Sequence, residues 1–177
     1  MRIRDAGVTV GTMRPGPGNR ISDVPGVTVG HATLDDGSVK TGVTCVMPCP
    51  DNPFFHKLTA AAHVLNGFGK TLGLMQIEEL GVLETPIALT NTLSVGAVHD
   101  GMVEYMLESC ENAFTSINPL VCECNDGYLN DIRRRVVTKE HLFAAIADAR
   151  ADFAEGDVGA GKGMSCHGLK GGIGSAS

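Results

Sequence analysis

Pro119-Leu-Val-Cys-Glu-Cys-Asn-Asp-Gly-Tyr-Leu-Asn-Asp131 changes character halfway along. Leu120, Val121, Cys122 and Cys124 suit a buried strand, and the residues after them form a polar, acidic cluster with an Asp-Gly turn signal. Polar groups at the end of a buried strand are where an α/β fold places its sites. Glu123 interrupts the apolar run, and a carboxylate in that setting is costly unless it meets a cation or hydrogen-bond donors. Glu123 is thus either solvated on an edge strand before a turn, or held there for a partner.

The flanking sequence alternates strands with helices. Val27–Thr33 and Val39–Met47 are β-branched runs on either side of Asp36-Gly37, which predicts a hairpin ended by Pro48, Pro50 and Pro53. Ala60–Phe68 fits a short helix or a strand, and Asn66-Gly67-Phe68-Gly69 reads as a loop near a ligand or neighbouring backbone. Thr71–Leu80 predicts a helix stopped by Gly81, and Pro86–Thr92 a buried strand. In Ser94–Asn112, Val95, Val98, Met102, Met106 and Cys110 recur at three- and four-residue steps, so one helix face is core and Ser94 is its expected cap. Beyond Asp131, Thr138 is positioned to cap a helix with Leu142, Ile146, Ala149 and Phe153 inward and Glu140, Asp148 and Asp152 in water. Gly156–Ser177 has no helical period, and Met164–Leu169 fits a strand between glycine loops. The class is α/β, and residues 1–177 are expected to form a single domain.

Composition narrows the function. The chain has 177 residues, 43% of them hydrophobic, which is enough for one core. A net charge of −6, with Arg133-Arg134-Arg135 as the one basic cluster, argues against nucleic acid or an anionic membrane as the main partner. The six cysteines lack zinc-site spacing and read as reduced core residues. With no leader and no apolar run of membrane-spanning length, a cytoplasmic protein is expected.

Several motifs fail on inspection. Gly156-Asp-Val-Gly-Ala-Gly161-Lys162 resembles a phosphate loop, but Gly163 stands where a magnesium-binding Ser or Thr belongs, and the stretch follows a helix instead of opening one. His99-Asp100 lies on a single helix with no second pair, so no metal site is predicted. No Gly-x-Ser-x-Gly elbow occurs, so a catalytic set would have to assemble from distant residues or draw on residues outside these 177.

Six blocks in order carry a resemblance: Asn19–Gly30, Lys40–Pro48, Leu65–Gly69, Pro86–Thr92, Glu123–Asp131, and Gly161–Met164 with Lys170–Gly174. The sequence is similar to the DmpA-type aminopeptidases (L-aminopeptidase/D-esterase), with β-peptidyl aminopeptidases and nylon-oligomer hydrolases as wider relatives. The resemblance implies a layered αββα sandwich, similar to N-terminal-nucleophile hydrolases but with its own connectivity, made as a precursor that cleaves itself. It implies that this chain is the first subunit, C-terminally incomplete, and that a second subunit carries the Ser or Thr nucleophile. Gly174-Ser175 lies inside the first subunit on that alignment and is rejected as the processing bond. Glu123 matches a carboxylate that meets the substrate's free amine. Asn125 stands where some members have a Tyr, and an Asn there can donate to an oxyanion. Asn66, Gly67, Asp126 and Gly127 are the further expected substrate-binding residues, with at least one of Asp126, Gly127, Asn130 and Asp131 holding the loop. The resemblance implies no cofactor, a small peptide or amide substrate, and a homo-oligomer of processed pairs. The alternatives are a binding domain for small amines without a nucleophile and, more remotely, a nucleotide-binding protein using Gly156–Gly163.

Overall fold

The computed structural model describes residues 2–177. Strand β1 (Thr28–Asp36) and strand β2 (Val39–Met47) pair antiparallel in the register Thr28↔Met47 to Asp36↔Val39, turning at Gly37 with φ of 56°. Strand β3 (Leu58–Thr59), helix α1 (Leu74–Leu80) and strand β4 (Val82–Leu83) follow, then strand β5 (Ile87–Thr90), helix α2 (Val95–Ser109), strand β6 (Leu120–Glu123) and helix α3 (Lys139–Ala147). A hairpin of β7 (Ser165–Cys166) and β8 (Leu169–Lys170) lies in the tail. The main sheet has the order β1-β2-β5-β6, antiparallel except for the parallel pair β5-β6.

Paired residues share a face, and this divides the sheet cleanly. Val43, Cys45, Ala88 and Val121 point towards α2 and α3, where Val98, Met102, Met106, Leu142 and Ala145 complete a fully buried core. On the opposite face, Ile87, Leu120 and Cys122 pack under α1 and the small β3-β4 sheet, with Ile77 and Leu83. A 3-10 turn at Gly159–Gly161 covers β1 and β2: Gly159 N–H donates to Thr33 Oγ1 at 2.7 Å and Ala160 N–H to Thr44 Oγ1 at 3.1 Å. Between these two covers, Val46 and Leu89 line an open groove of about 250 Å3 with Phe153 and Ile173.

The helical expectations hold in their interiors and change at their ends. Helix α1 starts at Leu74 because Leu72 instead exchanges two backbone hydrogen bonds with Val121, and it stops at Gly81, left-handed with φ of 65°, as expected. Ser94 does not cap α2: its Oγ is buried without a partner, and Asn91 Oδ1 accepts from Leu93 N–H at 3.1 Å to start the turn that feeds the helix. Helix α3 ends at Ala147, short of Phe153, because Arg150 pairs with Val29 as a bridge. Phe153 is buried from the following loop, and Asp148 accepts from His31 N–H at 3.0 Å where solvent exposure was expected. The Met164–Leu169 reading becomes a two-strand hairpin turning at His167-Gly168, both with positive φ. Among the described residues no helix is long and apolar enough to cross a membrane.

Not every cysteine is core. Cys45 and Cys110 are buried, but Cys166 is exposed on the tail hairpin and Cys49 is half-buried. Burial pushes the Cys45 and Cys124 thiols up to about 12, so neither supplies thiolate near neutrality. Alkylation with iodoacetamide at pH 8 should mark Cys166 first and reach Cys45 and Cys124 only after unfolding, as peptide mass mapping would read.

Candidate active site

The parallel strands β5 and β6 end side by side, with Thr90 opposite Glu123 and Cys124 N–H donating to Thr90 O at 2.8 Å. Such paired strand ends leave a crevice beyond their carboxyl termini. Glu123 is half-buried there, and among the described residues no cation meets it. Instead Thr92 Oγ1 donates to Glu123 Oε1, and Glu123 N–H donates to Thr71 Oγ1 at 3.4 Å. Thr92 opens the helical segment that runs into α2, so the carboxylate lies at the positive end of a helix dipole. Glu123 Oε2 has no hydrogen-bond partner among the described residues. A Cβ on Gly69 would approach that oxygen to 3.6 Å, so the glycine keeps the approach open.

The carboxylate faces a cavity of about 650 Å3 whose other wall is the loop from His63 to Gly69. Asn66, Gly67, Glu123 and Asn125 all line it, so four of the expected site residues come together from two separate stretches of sequence. Asn125 Oδ1 accepts from Gly127 N–H at 3.0 Å, which commits the oxygen to the loop and leaves the amide Nδ2 as donor. Thr71 and Thr92, which hold Glu123, were missed in the sequence. The usable signal was the Asn91-Thr92 pair just past β5, an Asx turn at a helix start.

Asp126 and Gly127 are not brought into that cavity. Gly127 is exposed on the turn, and Asp126 is 1% exposed beneath it. Asn130 Nδ2 donates to Asp126 Oδ1 at 3.0 Å, Lys40 N–H donates to Asn130 Oδ1 at 3.0 Å, and Asp126 O accepts from Leu129 and Asn130 N–H. Asp126 thus ties the loop to β2, the holding part expected of at least one residue in the motif.

Burial pushes the Asp126 carboxyl above its ordinary range, against the hydrogen bonds of Thr41 and Asn130 that pull it down. A carboxyl raised on folding favours the fold while neutral, and that advantage is lost as pH rises through its folded value. Asp126→Asn, which keeps the shape and cannot ionise, should therefore melt higher than the native protein at pH 8. The difference should shrink towards zero near pH 4, as paired thermal melts would read.

The geometry can be set beside known proteins. Residues 19–177 match the family described as Peptidase family S58. The chain is 39% identical over 189 residues to beta-peptidyl aminopeptidase BapA of Sphingosinicella xenopeptidilytica, an alignment covering 99% of this chain and 46% of that protein. BapA of Sphingosinicella microcystinivorans gives 39% over 187 residues with the same coverage. Among solved structures, the PH0078 protein from Pyrococcus horikoshii OT3 superposes with a TM-score of 0.92 at 48% identity, covering 96% of this chain and 52% of that one. A beta-aminopeptidase from Burkholderia sp. gives 0.88 at 45%, covering 94% and 49%. The L-aminopeptidase D-Ala-esterase/amidase from Ochrobactrum anthropi gives 0.86 at 31%, covering 96% and 50%, and is described as a prototype serine aminopeptidase with a new variant of the Ntn hydrolase fold. The chain spans about half the length of the relatives it matches. Its layered α/β architecture is of that N-terminal-nucleophile type. A family match from residue 19 to 177, and a shared fold at 31 to 48% identity, mean that the chain belongs to peptidase family S58.

Proposed function

We propose that this chain is the amine-recognising part of a self-processing aminopeptidase or amidase, which releases N-terminal residues from small peptides, amides or esters. The carrying observation is Glu123, whose Oε2 has no hydrogen-bond partner among the described residues and faces a cavity large enough for a small peptide. A substrate ammonium would supply the missing charge-assisted contact. Asn66 and Gly67 would then wall the substrate, and Asn125 Nδ2 would donate to the developing oxyanion. Asp126 and Gly127 would act by fixing the Asn125 loop.

In this reading residues 1–177 form one α/β domain, the N-terminal part of a precursor. A Ser or Thr from a segment beyond these residues becomes the new N-terminus and nucleophile. Its hydroxyl oxygen bonds to the substrate carbonyl carbon and its proton passes to a base; the carbon–nitrogen bond breaks, the amine leaves protonated, and water then frees the acyl group. The half-open sheet face at Val46 and Leu89 suits the second subunit's sheet, and processed pairs would assemble as a homo-oligomer. Six free thiols suit a reducing compartment such as the cytoplasm.

The test is the intact mass, under denaturing conditions, of the product of the complete reading frame, together with its activity on an aminoacyl p-nitroanilide. Two fragments, the second starting at Ser or Thr, with anilide hydrolysis, are expected. A single uncut species without hydrolysis would sink the proposal and leave a binder of small amines.

A further inference from the structure

The loop facing Glu123 carries a feature that amine recognition does not use. Val64, Leu65 and Phe68 are 50%, 92% and 77% exposed, and all three line the Glu123 cavity. Three large apolar side chains in five residues are a costly surface unless something covers them. The loop is built to present them. Phe68 N–H donates to Asn66 Oδ1 at 3.0 Å, closing an Asx turn, and Lys70 Nζ donates to Phe68 O at 2.5 Å. The same ammonium lies 3.7 Å from the centroid of the Phe68 ring, a cation–π contact that fixes the ring on the rim. The cavity therefore joins a carboxylate oxygen without a partner among the described residues to an apolar lip, and Lys70, which is not one of the lining residues, holds its charge against that lip through the Phe68 ring.

We infer that Phe68 and Lys70 set specificity: the residue whose ammonium sits at Glu123 carries an apolar side chain against Val64, Leu65 and Phe68, and Lys70 rejects basic side chains. The assignment rests on Glu123 taking the substrate ammonium. A side chain leaving the same carbon as the ammonium, or the next one, is within a few bonds of Glu123, and the facing wall of the cavity is this lip. Burying it against Phe68 removes apolar area from water on both partners. A lysine or arginine side chain would bring a second cation towards Lys70 with no acid besides Glu123 among the cavity's described lining residues to neutralise it, and like charges so placed are strongly disfavoured.

The experiment uses the complete protein and leucyl, glycyl and lysyl p-nitroanilides, with kcat/KM ratios as readout. The native protein should prefer leucyl over both others. Phe68→Ala should cut the leucyl-to-glycyl ratio by about tenfold or more, the scale of a lost hydrophobic pocket wall. Lys70→Glu should raise the lysyl-to-leucyl ratio by about tenfold or more, since it reverses the charge on the rim. Both residues are exposed, so neither variant disturbs the core. Titration with leucinamide, glycinamide and lysinamide reads the same preferences without turnover. If no anilide is cleaved but leucinamide binds best, the hydrolase proposal fails and this inference stands. Ratios unmoved in either variant overturn it, and a change of oligomeric mass in Phe68→Ala would assign the lip to a second copy of the chain.

Discussion

Glu123→Gln in the complete protein is expected to lower kcat/KM on amides bearing a free amine by about 10- to 100-fold relative to the same amides N-acetylated, because a contact to a charged group contributes about 1.5–3 kcal/mol. Glutamine has the volume of glutamate, and its carbonyl oxygen can still accept from Thr92 Oγ1, so the strand end and the turn at Asn91 keep their hydrogen bonds. What changes is the other atom. Oε2, open to the cavity beside Gly69, becomes an amide NH2, a donor facing a donor when an ammonium arrives. The loss should fall on amine recognition, which the capped substrates do not test. An equal fall on free and capped substrates would remove the amine anchor and leave Glu123 as a residue that merely braces the β5-β6 end. If the free-amine loss is confined to KM, the ammonium is held equally in ground and transition states. If kcat falls as well, the contact also orients the carbonyl for attack.

The sequence made parts of this arrangement readable and concealed others for identifiable reasons. Strands β1, β2, β5 and β6 show as β-branched or apolar runs because each has at least one buried face, and α2 shows through Val95, Val98, Met102 and Met106 because that face lies wholly in the core. Helix α3 reads too long because Phe153 falls on the helical period although it is buried from a loop; periodicity records burial, and cannot tell which backbone delivers it. The two-residue strands β3 and β4 have no sequence signal of their own, being held by packing with Ile77 and Leu120. Within the site, Glu123 stood out from local chemistry, a charge inside an apolar run. Asn66 and Gly67 read locally as a loop near a ligand or neighbouring backbone, but only the family resemblance joined them to Glu123, since nothing in their spacing says that a loop some sixty residues upstream folds against β6. Asp126 shows the converse limit. An acidic residue beside a candidate site looks like part of it, and only the bonds to Asn130 and the burial under the turn reveal a brace.

Gly30→Val is expected to destabilise the fold by about 3 kcal/mol or more, the upper end for overpacking, although strand propensity alone would predict a gain. Gly30 lies on the face of β1 that receives the end of α3, and a Cβ there would stand 2.1 Å from Ala145 O and 2.5 Å from Ala149 N. Both are backbone atoms, so no side-chain rotamer relieves the contact. Nor can α3 easily retreat. Val29 and Arg150 exchange two backbone hydrogen bonds of 3.1 Å, and His31 N–H donates to Asp148 at 3.0 Å, stitching the helix exit to β1 on both sides of Gly30. Relief would break those bonds or open the core at Ala145, which is fully buried. Gly37→Asn is the matched control: that glycine needs its φ of 56° for the hairpin but has nothing within 4 Å of a Cβ. Asparagine tolerates the left-handed region, so its cost should stay under about 1 kcal/mol. Urea denaturation of both variants of the complete protein separates the two roles of glycine. A Gly30→Val midpoint equal to that of Gly37→Asn would mean that α3 does not approach β1 as closely as the structure has it.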